Sequence, residues 1–156
     1  MNKIILTTQQ LSQSLPELLE NDGCFQLCIT GWSMRPLLLP EKDVVWLRAH
    51  SGTVHRGQIL LFQRDNGHFV LHRVRKILPD QCILMNGDAQ NWCEVIRHDQ
   101  IRAEVYEINT RGKRLSCSGF PMKLYQILWY PTIKIRPYLF RMVSILKRGL
   151  SVFRAR

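Results

Sequence analysis

Ser33 stands in the run TGWSMRPLLLP, residues 30–40, between a tryptophan and a methionine, with Gly31 before it and Pro36 after. A glycine permits close backbone approach and a proline fixes the chain, so this segment can hold a hydroxyl on a constrained turn at a sheet edge. A serine hydroxyl is a weak nucleophile at neutral pH and requires a base within hydrogen-bond reach. Five histidines offer one: His50, His55, His68, His72 and His98. Four lie in polar segments beside turn residues. His72 lies within FVLHRVRKI, where two-residue alternation places Phe69, Leu71 and Arg73 on one face and Val70, His72 and Val74 on the other. A histidine sharing a face with two valines is more often a hydrogen-bonded core residue than a catalyst, so this pattern alone does not decide its role.

Metal chemistry finds less support. The five cysteines, Cys24, Cys28, Cys82, Cys93 and Cys117, form no CxxC pair and have no histidine at finger spacing. They read as reduced thiols of a cytoplasmic protein, with Cys24 and Cys28 as small buried apolar residues. No metal and no cofactor is expected.

The elements that must position Ser33 and His72 are short. Residues Thr8–Glu20 carry leucines at helical spacing and end in NDG, which predicts an amphipathic helix. CFQLCIT, DVVWLRA, QILLFQR, HFVLHRVRKI, CILMNGD and IRAEVYEI are runs rich in β-branched, aromatic and aliphatic residues, separated by turn formers. They predict a mainly β fold, a compact antiparallel domain over residues 1–120 with one N-terminal helix. RDNG at 64–67 predicts a hairpin turn.

Residues 121–156 differ in composition. They hold eight lysines or arginines and no acid, and so carry most of the net charge of +10. Pro131 and Pro137 interrupt the segment. From Pro137 to Arg154, Arg141, Ser144, Lys147 or Arg148, Ser151 and Arg154 recur every three or four positions, opposite Leu139, Met142, Val143, Leu146, Leu150 and Phe153. This predicts a basic amphipathic helical tail, either packed on the domain or a partner, or adsorbed to an anionic membrane with Trp129, Tyr130 and Tyr138 near the headgroups. Its aromatics are not interleaved as a base-stacking platform, so nucleic acid is not the expected partner. MNKIILTTQQ has too short an apolar run for a secretory signal, and no stretch has the roughly eighteen apolar residues that a spanning helix needs. The expected place is the cytoplasm, peripheral to the inner membrane surface if the tail adsorbs.

GWSMRP, DVVWL, GQILLF, VLHRVRKI, MNGD and IRAEV, in this order over residues 28–108, resemble the boxes of the signal peptidase I and LexA-like serine peptidase superfamily. The resemblance implies the fold of that superfamily, with Ser33 of its Ser-Met-x-Pro box as nucleophile and the residue before Arg73-Val74 as general base. Bacterial leader peptidases and LexA have lysine at that place. Here it is His72, as in the archaeal and endoplasmic-reticulum branch. An unperturbed imidazole titrates near pH ~6.5, whereas a lysine needs a large shift before it acts as a base. Asp88 of NGD is the first candidate for the acid that orients the imidazole, and Glu94 is the alternative. Gly31, Trp32, Met34 and Pro36 are the expected substrate-binding residues. Lys42-Asp43 and Gly57-Gln58 stand where the superfamily usually has Gly-Asp, and Gly31 replaces a hydroxyl that often assists the oxyanion, leaving the Ser33 N–H to supply much of that hole. Signal peptidases have an anchor before the nucleophile and LexA-like repressors a DNA-binding unit; here one short helix is expected instead.

The activity expected is that of a serine endopeptidase with a Ser33/His72 dyad or a triad, acting on a peptide or protein precursor held as an added strand. The alternative is a peptidase-fold module that binds an extended peptide with little or no cutting.

Overall fold

Each of the six apolar runs forms a strand in the computed structural model, which describes residues 8–21 and 23–154, with side chains described at 11, 13–20 and 23–146. The strands are β1 (Cys24–Cys28), β2 (Val44–Arg48), β3 (Ile59–Gln63), β4 (Phe69–Ile77), β5 (Ile83–Asn86), β6 (Glu94–Ile96), β7 (Ile101–Thr110) and β8 (Lys113–Ser116). Helix α1 spans Thr8–Asn21, in agreement with its leucine spacing. The strands β6 and β8 were not expected, because one is three residues long and the other, KRLS, has a single apolar residue.

All pairings are antiparallel, in the order β1-β2-β7-β3-β4-β5-β6. Strand β7 is the spine. Its first half pairs with β3, from Phe62↔Ile101 to Ile59↔Val105, and its last four residues pair with β8. The β3–β4 hairpin closes at Gly67, which donates its N–H to the Arg64 carbonyl at 2.8 Å and has φ 86°.

Two hydrophobic clusters cover the two faces. Ile59 and Leu61 enter one with Leu11, Leu15, Met34, Leu38 and Met122, while Leu60 and Phe62 enter the other with Val74, Ile83, Met85 and Ile96. Coverage on both sides explains why β3 reads as an unbroken apolar run rather than an alternating one. In β4, Phe69 and Leu71 pack on the first cluster and Val70 and Val74 on the second, so the expected alternation holds.

The segment after residue 120 is not an appended tail at its start. Helix α2 (Phe120–Trp129), a 3-10 turn (Tyr130–Lys134) and the beginning of α3 (Arg136–Arg154) dock on the β-domain. Met122 is buried in the first cluster. The Tyr130 hydroxyl donates to the Val74 carbonyl at 2.6 Å, and Gln126 Nε2 to the Gly57 carbonyl at 3.2 Å. Gly57, with φ 93°, has no room for a Cβ beneath the Gln126 side chain. Trp129 and Tyr130 are therefore committed to the domain and not to headgroups, because their polar atoms and ring faces are already occupied. From Arg141 to Leu146 every side chain is exposed. The predicted contributions of Lys147, Arg148, Leu150, Ser151, Phe153 and Arg154 lie outside the described side chains.

A docked α2 makes Met122 a core residue. Met122→Ala is expected to cost about 2–5 kcal/mol, read from the urea midpoint, whereas a free tail would leave stability unchanged.

Candidate active site

The strand register decides which acid meets His72. Val74 pairs with Met85 and Met85 with Glu94, so Glu94 shares the face of Val74 and His72 and reaches His72 diagonally. Glu94 Oε1 lies 2.8 Å from His72 Nδ1, an ion-pair distance in which the ring N–H is not aimed along the line to the carboxylate. The imidazole is buried beside Phe62, 6.0 Å between ring centroids, and edge-on to Trp92 at 6.4 Å. Its Nε2 has no partner among the described residues, and His72, only 1% exposed, is one of the residues that line a cleft.

Glu94 is held from its other side by Arg64, whose Nε donates to Oε2 at 2.8 Å and whose Nη2 donates to Oε1 at 2.9 Å. Burial alone would raise the Glu94 carboxyl, but the contacts and charges of His72 and Arg64 outweigh it and bring its pKa down to about 2. Arg64 was read from the sequence only as part of a turn. Nothing in RDNG separates a solvated arginine from one aimed at a strand that is itself hard to see.

Asp88, the first candidate acid, serves a different group. Because β4 alternates, Arg73 points to the face opposite His72, and it is Arg73 that Asp88 meets. Arg73 Nε donates to Oδ1 at 3.0 Å and Nη2 to Oδ2 at 2.8 Å, with both side chains buried. The Tyr125 hydroxyl adds a bond to Oδ2 at 3.2 Å. Burial disfavours the Arg73 cation, yet the Asp88 carboxylate more than compensates and its pKa is raised. The acid beside His72 is thus Glu94, the alternative, and not Asp88.

The loop after β5 supports Ser33, which lies in the segment between β1 and β2. The Ala89 N–H donates to the Ser33 carbonyl at 2.7 Å, and a Cβ on Gly87 would stand 2.8 Å from that same carbonyl, so the loop can approach only with glycine at 87. Arg136, at the start of α3 and only 1% exposed, ties the loop together from beneath. Its Nη1 donates to Asn86 Oδ1 at 2.6 Å, to the Gln90 carbonyl at 2.8 Å and to the Gly87 carbonyl at 3.1 Å. Asn86 Nδ2 in turn donates to the Trp92 carbonyl at 2.5 Å, and Trp129 Nε1 to the Asp88 carbonyl at 2.7 Å. Burial pulls the Arg136 pKa down, opposed chiefly by the nearby Asp88. In the sequence Arg136 is one cation among eight, and its burial follows only from how α2 and α3 dock.

Ser33 and His72 line one cleft of about 1100 Å³ that runs along β1, with Leu27, Ile29, Leu61 and Leu71 in its walls and Arg64 and Gln90 at its polar end. Neither the Ser33 hydroxyl nor its amide has a hydrogen-bond partner among the described residues, so the two groups are not yet bonded to each other. Of the expected substrate-binding residues, Gly31 and Met34 line the cleft, Met34 as a buried floor. Trp32 and Pro36 do not line it. Trp32 is exposed beneath the Arg35 guanidinium, 4.8 Å from its ring centroid. Gly31 makes no tight approach either, since a Cβ there would meet open space.

The departures from Gly-Asp have structural duties. Asp43 is buried and accepts the Leu39 N–H at 2.7 Å and the Thr110 hydroxyl at 2.9 Å, closing the loop that follows the serine box. Gln58 Nε2 donates to the buried Glu104, which Arg48 also meets at 2.6 Å. Among the described residues no cluster of three or more His, Cys, Asp or Glu could hold a metal ion.

Removing Arg73 strands a buried carboxylate. Arg73→Met is expected to cost about 3–5 kcal/mol, and Arg73→Met with Asp88→Leu to recover a large part of that loss, both read by urea denaturation. For Glu94, a folded pKa of about 2 against an ordinary 4.5 means that its stabilising effect is complete above 4.5 and disappears as pH falls toward 2. The melting temperatures of wild type and Glu94→Gln are therefore expected to differ by a constant amount above about pH 5 and to converge below it. No protein-family model, curated protein or solved structure matches the chain, so the site rests on its own geometry.

Proposed function

We propose that the chain is a serine endopeptidase of the signal peptidase and LexA-like type, working through a Ser33–His72–Glu94 triad on a peptide or protein precursor. The observation that carries this reading is the buried His72, with Glu94 2.8 Å from its Nδ1, lining the same cleft as Ser33. Arg64 holds Glu94 from its other side, which keeps the carboxylate placed to stabilise an imidazolium.

In this mechanism His72 Nε2 takes the Ser33 proton as Oγ adds to the substrate carbonyl, and Glu94 stabilises the imidazolium that forms. Arg64 keeps Glu94 ionised and fixed in orientation. The unoccupied Ser33 N–H donates to the developing oxyanion. The C–N bond then breaks, the amine leaves with the proton from His72, and an acyl-enzyme ester remains. Water, deprotonated by His72, releases the acid and restores Ser33. No cofactor enters these steps.

Among the described residues the outer edge of β1 has no strand partner, and residues of β1 line the cleft, so the substrate is an extended segment added as a strand. The aliphatic walls favour apolar side chains next to the scissile bond. The missing Ser33–His72 hydrogen bond is consistent with a site that tightens on substrate, as free enzymes often show. It is also the observation that favours the other reading, a module that holds an extended peptide and does not cut it.

Cleavage of a diverse peptide library, followed by mass spectrometry, tests the proposal. Ser33→Ala and His72→Ala are each expected to abolish cutting, and Glu94→Gln to slow it roughly 10³–10⁴-fold with peptide binding retained. Binding without cutting by the folded wild type, unchanged in Ser33→Ala, would leave the binding module as the function.

A further inference from the structure

Helices α2 and α3 each present an apolar row to solvent. On α2, Phe120, Leu124, Ile127 and Leu128 recur at i, i+4, i+7 and i+8 and are 45–76% exposed, while Met122, Tyr125 and Trp129 face the domain. This helix is thus apolar on both sides, although only one side is needed for docking. On α3, Tyr138, Met142, Ile145 and Leu146 repeat the spacing and are 59–68% exposed. Exposed apolar surface on this scale, in one contiguous stretch of chain, marks an interaction surface.

Charge identifies the occupant. Residues 121–156 hold eight lysines or arginines and no aspartate or glutamate, and Lys123, Lys134 and Arg141 are exposed among the apolar residues. A second copy of the chain would bring the same Lys123, Lys134 and Arg141 against these, without an acid in either segment to neutralise them. No described helix is long and apolar enough to cross a membrane. We infer that α2 and α3 seat the protein on the surface of an anionic lipid bilayer, with the apolar rows at the acyl boundary and the lysines and arginines among the headgroups. Because Arg136 opens α3 and also holds the loop that bonds the Ser33 carbonyl, the docked helices keep the cleft at a fixed height above that surface. The inference stands without the peptidase activity, since its evidence lies outside the cleft.

Flotation of the full chain with phosphatidylglycerol/phosphatidylcholine vesicles tests it. The protein is expected to float with the mixed vesicles, to stay behind with phosphatidylcholine alone, and to be released by salt raised to about 1 M. Lys134→Gln and Arg141→Gln are each expected to weaken partitioning roughly fivefold. Ile127→Ser with Met142→Ser is expected to abolish flotation while the urea midpoint stays at the wild-type value, because both side chains are already exposed. Equal flotation on both kinds of vesicle, or none on either, overturns the inference. So does self-association in sedimentation that the Ile127→Ser, Met142→Ser pair removes, or binding of an oligonucleotide in preference to the vesicles.

Discussion

Two guanidinium groups and one carboxylate, all removed from water, fix the loop between β5 and β6. Arg73 and Asp88 neutralise one another, and Arg136 completes the set by donating to carbonyl groups that would otherwise be buried without partners. Neither cation is replaceable by an apolar side chain alone, since each would leave behind a polar atom that no water can reach. This shared burial decides where Ser33 sits, through Ala89, and where Trp92 stands against the His72 ring, through Asn86. One short loop therefore sets the positions of Ser33 and Trp92.

Strand alternation divides the remaining work. His72 and Arg73 are neighbours, so their side chains must leave β4 on opposite faces, and two different acids answer them. Asp88 is spent on the buried arginine. Glu94, six residues further on, is left to the imidazole and remains partly exposed, where Arg64 can reach it. The same alternation keeps the structural ion pair and the proposed proton relay apart, so that a change in the charge of one need not collapse the other.

Much of the architecture was legible because it depends on short-range pattern. The six apolar runs, the Asn-Gly turn and the helix after residue 7 all follow from the identity and spacing of adjacent residues. Strands β6 and β8 left no such trace, since EVI and KRLS become strands only by pairing with β5 and β7. Ser33, His72 and the two candidate acids were visible, but the choice between Asp88 and Glu94 turns on the register of β6, and that strand could not be foreseen. The roles of Arg64 and Arg136 were hidden for a related reason. An arginine that ends up buried has the same neighbours in sequence as one that stays in water, and only the packing of distant elements separates them.

The position of Arg136 in the chain has a consequence for the order in which the protein is made. The loop at 86–92 is synthesised well before the side chain that completes its hydrogen bonding; the strand that bears His72 is finished earlier still, and the one that bears Glu94 directly after. Domains begin to form from the N-terminal side as the chain emerges from the ribosome, so a nascent chain that already contains Ser33, His72 and Glu94 still lacks the group that locks the serine in register. The serine segment comes into its final setting only when the helices have followed.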